Sequence, residues 1–498
     1  MQTVQIRLHP LGKIIKAARG SSLIDVLHEF GVEFPCGGNG NCGKCKVRVL
    51  QGEIRADSEH LRKLEELSLG PSWRLACMSL AENDLVLEVG QYETIIQADE
   101  TRFSFEPVGG YGVAVDVGTT TIVAQLVDLT TASILGVETA MNPQGRWGSD
   151  LISRLESALA GLGPELTRSI RGAVGTMLGK LVRGKNITLD RVVLVGNTVM
   201  QHFFAGDDTR PLSFYPFESP HLSVKYFHAR ELQWEIPCGA IAFYPSIGSF
   251  VGSDILAGIH ATGMRHHREY SALVDLGTNG EIVVGNREGL LCASTAAGPA
   301  FEGARISQGM LATTGAISSV TDSAEGLRCS VIGNVPATGI CGSGLIDAVA
   351  VLLDKGELGG FGEILSGRPY LTLAGQVHLT ARDIQEFQLA KAAIAAGLQI
   401  LLRKLGITWE ELSQVYISGA FGSYINLENM IRTGMMAGPA DRFRKLGNTA
   451  LIGAKMFLFS NMEPADGILT GTRHVNLESE PDFQDIFVDR LAFNLPSN

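Results

Sequence analysis

Four cysteines, Cys36, Cys42, Cys45 and Cys77, stand in this chain as C-x5-C-x2-C-x31-C. Four thiolates bind an iron–sulfur cluster or a zinc ion. A structural zinc site usually pairs two short knuckles, whereas Cys77 stands alone in Arg74-Leu75-Ala76-Cys77. The first three cysteines share the loop Pro35-Cys36-Gly37-Gly38-Asn39-Gly40-Asn41-Cys42-Gly43-Lys44-Cys45. Its small residues let backbone N–H groups approach the sulfurs of a flat cluster and tune its potential. A [2Fe–2S] centre suits this loop better than zinc, and its chemistry is the transfer of single electrons.

A second chemistry is written twice. Gly112-Val113-Ala114-Val115-Asp116-Val117-Gly118-Thr119-Thr120-Thr121 leads into an apolar run, and Ala272-Leu273-Val274-Asp275-Leu276-Gly277-Thr278-Asn279-Gly280-Glu281 does the same. Each reads as a buried strand ending in Asp, a tight turn and a returning strand. Such a turn aims successive backbone N–H groups and hydroxyls at one point, a nest suited to phosphate. Gly118, Thr119, Thr120, Gly277, Thr278, Asn279 and Gly280 would then hold phosphates. Asp116 and Asp275 would hold Mg2+ through water or orient an attacking water. An ordinary β-turn also uses Gly and Thr, but two matched copies favour the phosphate reading. They lie too far apart for a solenoid, so they mark a duplication into two similar subdomains.

The elements that must position these residues are legible in outline. Val4 to Leu8 alternates as a strand, Gly12 to Lys16 offers a second, and Ser22 to Phe30 reads as a helix. Lys46 to Leu50 and Leu85 to Val89 supply further strands. Residues 1–92 form the first unit and 93–110 a polar tether ending in Pro107-Val108-Gly109-Gly110. From 111 onward strands and helical runs alternate, as in α/β packing. The expected division is 111–262 and 263–498.

Composition narrows the setting. A chain of 498 residues holds about three domains. Its net charge of −11, with no basic stripe, argues against nucleic acid as a partner. The absence of a run of about 18 apolar residues argues against a membrane span. Eight cysteines in so long a chain do not make a disulfide scaffold, so a reducing cytoplasm is expected.

Two strands, a helix, a cysteine loop and two more strands resemble the β-grasp ferredoxin fold, and the C-x5-C-x2-C spacing is similar to its adrenodoxin-type variant. The paired hairpins resemble the actin, sugar-kinase and heat-shock-ATPase superfamily, in which two ribonuclease-H-like subdomains hold ATP between them. In that likeness Phe250 to Ile259 and Gly447 to Ala454 are the two connecting helices. Val415 to Gly422 is similar to the adenosine motif, so Ser418, Gly419, Ala420 and Gly422 would lie against base and ribose. The expected class is therefore α+β multidomain, a β-grasp [2Fe–2S] ferredoxin domain plus a duplicated ribonuclease-H-like ATPase domain.

That fusion resembles the reductive activators of corrinoid proteins. Asn142-Pro143-Gln144, Gly196 to His202, Ala296 to Gly303 and Gly339 to Asp347 carry the likeness. Longer members have an extra linker domain where this chain has a short tether. The resemblance implies ATP-dependent, one-electron reduction of a corrinoid protein's Co(II) to Co(I), with a [2Fe–2S] cluster, ATP and Mg2+ as cofactors. It also implies an upstream electron donor and leaves room for a homodimer. Rival readings are an ATP-dependent activator of another low-potential metalloenzyme and a small-molecule kinase of the same fold.

Other residues have plainer expectations. His202 in its apolar run reads as a hydrogen-bonded core histidine, and His266 and His267 as a solvated helix end. Cys341 reads as a small buried residue and Lys391 as a surface-paired lysine. Glu302 is balanced between active-site carboxylate and structural cap.

Overall fold

The computed structural model describes residues 3–9, 13–27, 40, 45–67, 69–89, 105–277, 279–313, 315–324, 326–332, 335–419, 425–460 and 466–493. In the N-terminal unit, strands β1 (Thr3–His9) and β2 (Lys13–Ala18) lead to helix α1 (Leu23–Leu27). Strand β3 (Lys46–Gln51), helix α2 (Ser58–Glu66), β4 (Trp73–Leu75) and β5 (Leu85–Val89) follow. The sheet runs β2-β1-β5-β3-β4, with β1 and β5 parallel. Val4, Ile6 and Leu8 are buried while Gln5 and Arg7 are exposed, the period of two that the sequence shows. Helix α2 was not expected. Its signal is Asp57, whose carboxylate accepts from the His60 N–H at 2.8 Å. Residues 28–30 of the expected first helix, Gly12 of the expected second strand, and positions 93–104 of the tether lie outside the described residues.

The remaining chain builds the same sheet twice. First come β6 (Tyr111–Val117), β7 (Thr121–Asp128) and β8 (Ile134–Met141), with helices α3 (Leu151–Ser157) and α4 (Gly163–Val182). Then follow β9 (Leu189–Val195), α5 (Thr198–Ala205), an edge strand β10 (Lys225–Phe227), β11 (Cys238–Phe243) and α6 (Ser253–Thr262). The second copy has β12 (Tyr270–Leu276), β13 (Gly280–Asn286), β14 (Gly289–Thr295), α7 (Gly342–Asp354) and α8 (Ala381–Leu405). It closes with β15 (Leu412–Ser418), β16 (Phe443–Gly447), α9 (Thr449–Phe459) and β17 (Thr472–His474). The orders β8-β7-β6-β9-β11 and β14-β13-β12-β15-β16 correspond strand for strand. In each, three antiparallel strands are followed by two parallel ones.

The copies share one core. Inner-face residues Ala114 and Val193 of the first sheet and Leu273 and Val283 of the second pack with Leu256 of α6 and Leu451 of α9. The two helices cross here, and small residues of the second, Gly453 and Ala454, let them approach closely. A Cβ on Gly453 would lie 2.1 Å from the Ala257 carbonyl oxygen. The backbones are therefore as close as they can come. Gly453→Val should lower stability by ~2 kcal/mol or more, read as a fall in the denaturant midpoint; an unchanged midpoint would show that the crossing is not tight.

Candidate functional site

The first turn is shaped by what holds its carbonyls. Gly118 O accepts from Asn142 Nδ2 at 2.8 Å, Thr119 O from Arg154 Nη2 at 2.6 Å and Thr120 O from the Asn142 N–H at 2.8 Å. A trans peptide points its N–H opposite to its C=O. Carbonyls drawn back into the protein therefore turn the following N–H groups outward, as an anion nest requires. A Cβ on Gly118 would lie 2.5 Å from the Thr121 carbonyl oxygen, so only glycine fits. Asn197 caps α5 through the Met200 N–H at 3.0 Å and donates to Thr119 Oγ1 at 3.0 Å. The Asn142-Pro143-Gln144 and Gly196-Asn197 motifs are thus braces of this turn. Arg154, fully buried, was missed: on a short helix it reads as a surface residue.

The second hairpin pairs Asp275 with Glu281 across the turn and with Ser418 on its other side. Ser418 Oγ donates to Asp275 Oδ2 at 2.6 Å and lies 2.6 Å from Thr449 Oγ1. One residue earlier Asn448 caps α9 through the Leu451 N–H and donates to Asp116 Oδ2 at 2.7 Å. The start of α9 therefore touches Asp116 directly and Asp275 through Ser418, which sequence reasoning did not foresee. Thr120 Oγ1 donates to Glu302 Oε2 at 3.1 Å, a bond between the two copies that places Glu302 at the cleft. Thr278 lies outside the described residues.

Four carboxyl groups act on one another here. Burial is the main force raising Asp116 to about 7, with Asp275 nearby adding to it and the Asn448 hydrogen bond opposing. Burial raises Asp254 to about 8, helped by Asp275 and Asp116. Asp275 is raised by burial against its Ser418 bond, and Glu281 by burial and then by Asp254 and Asp275. Asp254 opens α6 and Glu281 ends the second turn; both were missed. Among the described residues, no three His, Cys, Asp or Glu side chains converge closely enough to hold a metal ion by themselves.

Beside the second hairpin, Gly419 takes a φ of +100°, and a Cβ there would lie 2.2 Å from the Leu276 carbonyl oxygen. The chain can only pass this point as glycine. Ala420 and Gly422 lie outside the described residues. A polar depression of about 590 Å3 is lined by Ser319, Asp347, Asn426, Glu428 and Lys445. Another cavity, of about 470 Å3, opens between the copies beside Asp150, Glu156, Phe250, Asn279 and Arg305.

In the N-terminal unit Cys45 Sγ and Cys77 Sγ lie 3.3 Å apart. A disulfide needs about 2.05 Å, so these are two thiols side by side, the donor chemistry of neighbouring cluster ligands. The Ala76 N–H donates to Cys45 O at 3.0 Å and fixes the pair. Cys36 and Cys42 lie outside the described residues.

The plainer expectations divide. His202 is a core histidine, with Nδ1 2.7 Å from Thr198 O and Nε2 2.6 Å from Ser219 Oγ. Cys341 is buried, and His266 is exposed at the end of a short turn. Lys391 corrects the expectation of a surface lysine. It is 1% exposed, donates to Ala492 O and sits 5.0 Å from the Phe493 ring centre, and burial lowers it to about 7.

Comparison with known proteins agrees with this architecture. Residues 6–82 match the 2Fe-2S iron-sulfur cluster binding domain, 111–267 the RACo middle region, and 269–497 the C-terminal domain of RACo, the ASKHA domain. The corrinoid activation enzyme RamQ of Eubacterium limosum is 33% identical over 420 residues, covering 77% of this chain and 70% of that one. The [Co(II) methylated amine-specific corrinoid protein] reductase of Methanosarcina barkeri is 27% identical, covering 77% of each. A solved structure, the reductive activator for corrinoid, iron-sulfur protein, is 27% identical with a TM-score of 0.69 over 98% of both chains. The chain belongs to this family, the RACo-type reductive activators of corrinoid proteins. Its fold is a ferredoxin domain joined to an ASKHA domain. No helix among the described residues is long and apolar enough to cross a membrane.

The raised Asp116 carboxyl gives a sign for stability against pH. Between its ordinary value of 3.8 and about 7, the folded chain binds a proton that the unfolded chain has released. This group therefore costs stability progressively as pH rises through that window. Asp116→Asn, without nucleotide, should be more stable than the parent by ~2 kcal/mol near pH 8, allowing for partial solvent contact, and by less near pH 5. Urea denaturation at both pH values checks this; a gap independent of pH would contradict it.

Proposed function

We propose that this chain is an ATP-dependent reductive activator that passes one electron to a corrinoid protein, returning its cobalt from Co(II) to Co(I). The observation that carries the reading is the pair of hairpins, Asp116 to Thr121 and Asp275 to Gly280, reached by one helix start and fused to a cluster domain. Gly118, Thr119, Thr120, Gly277, Thr278, Asn279 and Gly280 hold the phosphates of ATP by backbone N–H and hydroxyl groups. Ser418, Gly419, Ala420 and Gly422 lie along the adenosine, and the depression by Asp347, Asn426 and Lys445 supplies polar edges for the base.

Asp116 and Asp275 would hold Mg2+, an ion that takes few protein ligands beside a nucleotide's phosphates. That ion neutralises phosphate charge when bound. Asp254 and Glu281, which interact electrostatically with this pair, set how strongly the aspartates attract it. Cys36, Cys42, Cys45 and Cys77 hold the [2Fe–2S] cluster, which supplies single-electron transfer when bound and is refilled by an upstream donor. The scattered thiols suit a reducing cytoplasm.

Why ATP is needed follows from potential. Plant-type clusters sit near about −400 mV, and Co(II) in a corrinoid is a poorer acceptor still. Each 59 mV uphill costs about 1.4 kcal/mol for one electron. A few kcal/mol of differential binding between two cleft states suffices to drive the transfer.

The test is anaerobic mixing of reduced protein with a Co(II) corrinoid protein. ATP should convert the visible spectrum from Co(II) to Co(I). Cys77→Ala should lose cluster absorption and this conversion, by at least about 100-fold, while still binding ATP. Wild-type conversion by a Cys77→Ala protein without its cluster would sink the proposal.

A further inference from the structure

Residues 142–156 brace the first turn at both ends, through Asn142 and Arg154. Between those braces the same segment touches the cluster domain. Arg146 closes the short turn Pro143–Arg146, and its Nη2 lies 2.8 Å from Oδ1 of Asp25 on α1. The guanidinium also sits over the Trp147 ring, 4.5 Å from its centre. Trp147 is fixed in turn, since its carbonyl accepts from Ser157 Oγ at 2.8 Å.

The other side of the pair is equally placed. Helix α1 packs at the cluster end of its domain, where the Leu23 N–H donates to Ser79 O at 3.0 Å, two residues past Cys77. Asp25 therefore reports the position of the turn that carries a cluster cysteine. Its partner belongs to the strap that shapes the phosphate turn. Both side chains are half exposed, 40% for Arg146 and 47% for Asp25. An ion pair so exposed is weak and salt-sensitive, which suits a contact that forms and releases in each cycle better than a permanent weld.

We propose that Asp25 and Arg146 are positioning residues: their ion pair seats the cluster domain on the strap that braces the first phosphate turn, so nucleotide and cluster share one support. A movement of the turn on nucleotide binding then shifts Arg146, and with it the seat of the cluster domain. This rests on the proposed activity, but the docking itself can be read without it.

The experiment uses the full, cluster-loaded chain with Arg146→Glu, Asp25→Arg and the double exchange. Each single variant should slow ATP-dependent cobalt reduction about five- to tenfold and enlarge the particle in solution X-ray scattering. Cluster absorption and ATP hydrolysis without partner should stay as in the parent. The double exchange, which restores opposite charges, should recover rate and dimensions to within about twofold. Single variants with parental rate and dimensions would overturn the proposal, and so would a double exchange as impaired as the singles. A parent that reduces no corrinoid protein would instead fail the functional reading, and the scattering would still decide the docking.

Discussion

The arrangement depends on carboxyl groups crowded together with little access to water. Asp116, Asp254, Asp275 and Glu281 share one buried region, and each is pushed toward its neutral form by burial and by its neighbours. A buried carboxylate group is costly unless paired or hydrogen-bonded. Here Asn448 and Ser418 offset part of that cost, and both act where α9 begins. The rest of the cost is left as an attraction for positive charge.

That constraint accounts for the duplicated fold. Two copies of one sheet place two Asp-ended strands face to face, and crossing helices with glycine at the contact bring them close. The shared core makes the copies respond together, because a packed interior is not continuously deformable. Thr120 and Glu302 form a bond across the cleft that a change in closure must alter. The cluster domain adds little to this machinery except its electron and its seat.

Much of this was legible in the sequence because strands and tight turns are local. The alternation of Val4, Ile6 and Leu8, the Asp-x-Gly-Thr repeats and the glycine at 419 each signal their geometry within a few residues. What escaped were roles set by partners far along the chain. Asn448 meets Asp116 across 332 positions, and Arg154 meets Thr119 across 35. Asp254 and Glu281 sit in segments already singled out, yet nothing local marks a carboxylate as belonging to a shared buried group. Lys391 was misjudged for the same reason: the C-terminal residues Ala492 and Phe493 that cover it are about a hundred positions away.

The central claim is that binding energy from ATP is linked to the corrinoid partner, and linkage is reciprocal. The most direct measurement is a titration of ATP into the cluster-loaded protein with and without a Co(II) corrinoid protein, paired with the converse titration. The account expects each ligand to tighten the other by one common factor, roughly five- to 150-fold. Equal ATP affinity in the presence and absence of the partner would contradict it.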